Sequence, residues 1–187
     1  MPQAVSLIGA PTDIGAGARG ASIGPEALRV AGLQPALESH GVQVTDLGNL
    51  AGPANPWLPP SNGYRHLDEV VQWNRAVHEA VHAELTSGRL PILLGGDHFN
   101  TSVLTPSGNI HGMPVACLCG HGPKELIEIG GQVPAVKPKW IRQIGIRSVD
   151  AGEKRLVHEQ GLEVFDMRYI DEMGMRHTME LALATMD

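Results

Sequence analysis

The sequence predicts an α/β protein with a mostly parallel sheet covered by helices on both faces. Two observations carry that prediction. Short apolar runs bounded by glycine or proline alternate with longer stretches whose apolar residues recur at helical spacing, the alternation that builds βαβ units. Gly at 23 and Pro at 14 of 187 residues punctuate the chain often enough for many short elements.

Taken in order, "AVSLIGA" (4–10) is a short buried strand, followed by the glycine-rich turn "PTDIGAGARGASIGP". "PEALRVAGLQPALESHG" reads as one helix closed by Gly41 as a C-cap. "VQVTDLG" alternates with period two and reads as a strand, and "NLAGPANPWLPPSNGY" is too rich in Pro, Asn and Gly for regular structure. "HLDEVVQWNRAVHEAVHAELTSG" is the longest amphipathic helix, and "RLPILLGG" is another buried strand. The pattern resumes with "WIRQIGIRSVD" as strand, "AGEKRLVHEQG" as helix, "LEVFDM" as strand and "GMRHTMELALATMD" as helix.

At 187 residues the chain is expected to form one domain, burying roughly two-thirds of its unfolded surface. A net charge of -6 argues against nucleic acid or an anionic membrane as partner. The most basic stretch, "KPKWIRQIGIR", is interleaved with apolar residues and reads as a solvated strand end. No run approaches the ~20 apolar residues of a membrane span. The start, "MPQAVSLIGAPTD", lacks a basic n-region and a long h-region, so a cytoplasmic location is expected. Cys117 and Cys119 in "VACLCGHG" fit neither a CxxC redox pair nor a zinc knuckle and are expected to be buried free thiols.

In open parallel sheets, ligands bind at the carboxyl ends of the strands. Three polar clusters fall there: Thr12-Asp13, Asp97-His98 and Ser148-Val149-Asp150. "GARGASIGPEALR" sets Arg19 among glycines ahead of a helix with Pro25 at N1. It reads as a tight crossover, or as a loop that admits a ligand or a neighbouring subunit. Its glycine spacing is not that of a dinucleotide-binding turn. His78-Glu79-Ala80-Val81-His82 matches the zinc-protease pattern H-E-x-x-H. It sits mid-helix in an α/β alternation with no suggestive third ligand, so it reads as a chance match.

"GGDH" is more informative, because glycines at a strand end turn the backbone sharply and project an Asp-His pair into the crevice. Asp97 could then orient a liganding His98. "TPSGNIHGMP" gathers Thr105, Ser107, Asn109 and His111 in one short loop. Such a loop could bind a small carboxylate beside a proton-transfer group, or be an ordinary polar turn.

"SLIGAPTDIGAGARGASIGPEALR", "PILLGGDH", "NTSVLTPSGNIHGMP" and "IGIRSVDAGEK" together resemble the bacterial arginases of the ureohydrolase family, in order and over nearly the whole chain. The resemblance implies a three-layer α/β/α fold with a mostly parallel sheet. It also implies hydrolysis of L-arginine to L-ornithine and urea by water bridging two Mn²⁺ ions, in a trimer or hexamer. Position by position, His98 matches a metal ligand and His111 the histidine that shuttles a proton. Asn100, Thr105, Ser107 and Asn109 match the loop that holds the α-carboxylate. Asp150 and Glu153 match acidic residues near the α-amino group, and Ser148 stands where many arginases have an acid. A loop built for a carboxylate favours arginine over agmatine.

Two departures accompany the resemblance. The family's D-A-H-x-D segment, with three metal ligands, is expected before Phe99-Asn100, where "GGDH" runs straight into "FNTS". The missing piece would be a helix and a strand, about 30 residues. The D-x-D motif of a later strand is expected after the helix at which this sequence stops, in a C-terminal part that is lacking, and "SVD" at 148–150 is not that motif. His98 is then the one ligand of six that can be placed, so the chain alone is expected to be inactive and marginally stable. The competing expectations are a non-catalytic remnant or subunit-pairing fragment, and a ureohydrolase of another guanidine such as agmatinase.

Overall fold

The computed structural model describes residues 4–16, 19–95, 110, 113–147 and 151–184. The chain divides into two compact units, 1–96 with 108–111 and 97–107 with 112–187.

In the first unit β1 (Ala4–Gly9), β2 (Gln43–Asn49) and β3 (Leu90–Leu94) form a parallel sheet in the order β2-β1-β3. Alternate residues of β1 point to opposite faces. Val5 and Leu7 join Leu94 in an apolar cluster closed by Leu33 and Leu37, both on α2 (Leu33–Ser39). Ser6 points the other way, wholly buried, and its hydroxyl donates to the Glu84 carboxylate on α3 (Leu67–Thr86). Arg89 Nε donates to Ser6 Oγ at 2.8 Å and pairs with Glu84 at 3.2 Å, and the Arg89 guanidinium also donates to Thr45 Oγ1. The expected helices on both faces are therefore present in this unit.

Two elements depart from expectation. The helix predicted across 25–41 is divided into α1 (Gly24–Val30) and α2, with Gly32 at φ 84° between them. In a continuous helix Pro35 would remove the bond to the carbonyl of Ala31. Starting a new helix at Leu33 puts Pro35 in a first turn, where no N–H is needed. Secondly, β3 is not a buried strand: Leu90 is 44% and Leu93 39% exposed, and only Leu94 is buried. It is the outer strand of its sheet, and its free edge has no strand beside it among the described residues.

In the second unit α4 (Pro114–Leu118) and α5 (Lys124–Ile127) precede β4 (Arg142–Ile146), α6 (Ala151–Gln160) and β5 (Glu163–Asp166). β4 and β5 pair in parallel with α6 as the crossover. Ala116, Cys119 and Leu162 form the core, packed by Val115, Ile141, Leu156 and Val157. Arg142 and Glu163, adjacent in register, close an ion pair of 2.5 Å. Two helices end the described chain, α7 (Met167–Met173) and α8 (Met175–Ala184). α7 was not expected from periodicity. Asp166 starts it by accepting from the Tyr169 N–H at 2.9 Å, an N-cap signal legible in the sequence. Among the described residues the strands form two sheets, each of parallel strands, where the alternation alone suggested one.

Candidate functional site

The sheet of the first unit brings two of the sequence's strand ends together. The Ala10 N–H donates to the Leu94 carbonyl at 3.0 Å, so the segment leaving β3 starts beside the one leaving β1. Gly95 turns there at φ 141°, and a Cβ on it would lie 3.0 Å from the Ala10 carbonyl oxygen. Only glycine fits both demands. The reading of "GGDH" as a sharp turn at a strand end holds at its first residue.

Beyond it, His98, Asn100, Thr105, Ser107, Asn109 and His111 lie outside the described residues, as do Asp97, Ser148 and Asp150. Ile110 and Met113, which flank His111 in sequence, are buried. Of the residues assigned to the substrate, Glu153 is described. It stands in the first turn of α6, following β4, and is 4% exposed.

The cluster Thr12-Asp13 has a different job from the one its position suggested. Thr12 Oγ1 accepts from the Ile14 N–H at 3.0 Å. The Asp13 carboxylate accepts from the N–H groups of Gly20 and Ser22, at 3.0 and 3.2 Å, and from Ser22 Oγ at 3.0 Å. Asn55 donates its amide to the Asp13 carbonyl at 2.6 Å. Asp13 therefore fastens the glycine-rich loop to the end of β1. An open hollow of about 690 Å³ lies between this loop and residues 52–57, with the Arg19 guanidinium 5.5 Å from the centre of the Trp57 ring. The stacking of Arg19 on Trp57 could not be read from sequence, because 38 positions separate them.

Among the described residues no group of three or more His, Cys, Asp or Glu side chains could hold a metal ion. His78 and His82 are exposed on α3, without a third ligand in that sense. Cys117 and Cys119 are free, with burial pushing both thiols up to about 11. Cys119 is buried as expected, and Cys117 is half-buried. No described helix is long and apolar enough to cross a membrane.

Comparison with known proteins decides the ancestry. The model of the Arginase family matches residues 3–104 and 99–187. The arginase of Brevibacillus brevis is 36% identical over 98% of this chain and 71% of its own length. The chain belongs to the arginase family. The Bacillus caldovelox arginase is 35% identical over 96% of the chain and 70% of the relative. Its native structure at pH 5.6 superposes with a TM-score of 0.81 at 34% identity, covering all of this chain and 72% of that one. An Entamoeba histolytica arginase solved with L-ornithine gives a TM-score of 0.76 at 28% identity, covering 99% of this chain and 72% of that one. In sequence the chain is of the arginase type of ureohydrolase, and it has the arginase α/β fold.

The match to the family model comes in two stretches that meet at 99–104. The match to the Brevibacillus arginase spans 211 residues, whereas 98% of 187 residues is about 183. About 28 positions are therefore unmatched on this side of the comparison.

Proposed function

We propose that this chain descends from an enzyme hydrolysing L-arginine to L-ornithine and urea, keeps its amino-acid-binding loop, and lacks the crossover that carries half of its metal ligands. The single observation that carries this is the pair of family-model stretches meeting at 99–104, at the junction where "GGDH" runs into "FNTS". The shortfall of about 28 positions is the length of one helix and one strand. Both observations support a single arginase-like domain, 1–187, that lacks a βα segment between His98 and Phe99, and the match to 71% of the relative's length supports a lacking C-terminal part as well.

In this reading Asn100, Thr105, Ser107 and Asn109 offer neutral donors to the α-carboxylate. Asp150 and the buried Glu153 receive the α-ammonium group, a charge that a shielded carboxylate balances well. His111 carries a proton between solvent and the reacting centre. A pair of Mn²⁺ ions supplies hydroxide at neutral pH in such a centre. The residues present do not fit that pair: His98 stands without the D-A-H-x-D segment, and no described cluster replaces it. One imidazole cannot hold two hard cations that prefer oxygen ligands. The chain alone is therefore inactive; a cytoplasmic location is part of the same proposal, and homo-oligomeric assembly is carried over from the resemblance.

The test is urea release from L-arginine and from agmatine with added MnCl₂. The chain as it stands is expected to give no turnover with either, and two manganese per chain after dialysis would overturn the reading. Inserting the corresponding 28 residues of the Brevibacillus arginase between His98 and Phe99 should raise manganese retention. An insertion that leaves retention unchanged would favour a purely non-catalytic, subunit-pairing role.

A further inference from the structure

We propose that His78 and His82 form a surface chelate on α3 for one late first-row divalent cation, Cu²⁺, Ni²⁺ or Zn²⁺, separate from any manganese chemistry. The two imidazoles are one helical turn apart on a 20-residue helix. Their ring centroids are 6.0 Å apart, with planes inclined by 16°. Two imidazoles bound to one ion at about 2.1 Å through ring nitrogens place their centroids roughly 4.5 to 6.5 Å apart, depending on the angle at the metal. The centroid separation lies within the range that one shared ion allows, and from the near-parallel arrangement both rings must turn about their side-chain bonds before their nitrogens converge.

The surroundings permit this. Both histidines are exposed, so a bound ion keeps water in its remaining positions. Glu79, also exposed, lies three positions before His82 and places a carboxylate on the adjoining surface. Arg75, three positions before His78, opposes the ion from the other side, but it is exposed and its charge is screened. The buried side of the helix is carried by Val70, Val71 and Trp73, so neither histidine is needed for packing. H-E-x-x-H here is thus neither a protease centre, which needs a third protein ligand, nor an inert coincidence.

Two nitrogen ligands select against Mn²⁺. Affinity for imidazole sites rises along the series from Mn²⁺ to Cu²⁺, and manganese prefers oxygen ligands. The site should therefore stay empty in manganese and fill in copper or nickel. A filled site ties together one turn of α3, the helix that lies on β1 and β3, and ligand linkage then raises the melting temperature.

The probes are CuCl₂ followed by electron paramagnetic resonance and NiCl₂ followed by thermal melting, on the whole chain. One tight Cu²⁺ with coupling to two nitrogens is expected. H82A should weaken it at least about tenfold, because the second imidazole no longer binds intramolecularly. A80H/H82A keeps the number of imidazoles but sets them two residues apart, where helix side chains do not meet. It should bind as weakly as H82A, and far-UV circular dichroism shows whether either variant still folds. Equal copper affinity in the wild type and A80H/H82A, or equal nickel-induced melting shifts, would overturn the proposal. So would displacement of the copper by an equal concentration of MnCl₂.

Discussion

Replacing Arg29 with alanine tests how the first helix is held to the sheet. Arg29, on α1, grips Asp46 on β2 with both arms of its guanidinium, Nε to Oδ2 at 2.7 Å and Nη2 to Oδ1 at 2.9 Å. Nη1 reaches Glu26 at 2.8 Å and Asn49 at 2.6 Å, and Asn49 returns a bond to Glu26 at 3.0 Å. The side chains of Arg29 and Asp46 are only 18% and 24% exposed, while Glu26 is 60% exposed. The paired bonds to Asp46 are charge-assisted and largely shielded, worth about 1.5–3 kcal/mol together. The exposed arm to Glu26 adds at most about 0.5 kcal/mol. A loss of about 2 kcal/mol corresponds to a drop of about 4–8 °C in melting temperature for a chain of this size. R29K should recover less than half of it, because an ammonium cannot fork.

The same pair makes a pH prediction. The hydrogen bonds from Arg29 hold the Asp46 carboxyl below its ordinary value of 3.8, opposed by burial and helped by the Gly48 N–H. A depressed folded pKa gives stability that is present above the unfolded value and lost as pH falls through the folded one. The gap between wild type and R29A should therefore be constant near neutrality and narrow below about pH 4. Thermal melting across that range reads both quantities. A drop under about 1 °C at neutral pH, or a gap that widens on acidification, would refute the argument.

Gly52 meets α3 through Trp73, which is 5% exposed, and a Cβ at Gly52 would sit 2.3 Å from the indole Cε3. G52A should therefore cost about 1–3 kcal/mol by overpacking and perturb tryptophan emission, whereas the melting curve of G63A, open at its Cβ, should shift only through backbone strain at φ 82°. Cys117 and Cys119, with thiols pushed up to about 11 from 9.0, should react with a thiol reagent at mildly alkaline pH about a hundredfold slower than in urea. A burst of two equivalents from the folded protein would contradict their burial.

The element types were legible because their causes are local. Period-two alternation in "VQVTDLG", the amphipathic run at 66–88 and the glycines at 41 and 88 specify strand, helix and stop within a few residues. The family was legible too, because "GGDH" and "TPSGNIHGMP" carry its residues in a fixed local order. What stayed hidden depends on distant partners. The exposure of Leu90 and Leu93 follows from the place of β3 at the outside of its sheet, which its own residues do not encode. Asp13 reads as a site residue until the N–H groups of Gly20 and Ser22 are found on it. Helix α1 ends where it does because Gly32 and Pro35 act together with the packing of Leu33 and Leu37 on the sheet. The sequence by itself determined which elements form and which family they came from. Tertiary structure decided which strands are central, which carboxylates are already engaged and that α3 sets two imidazoles face to face, because each depends on groups brought together only by folding.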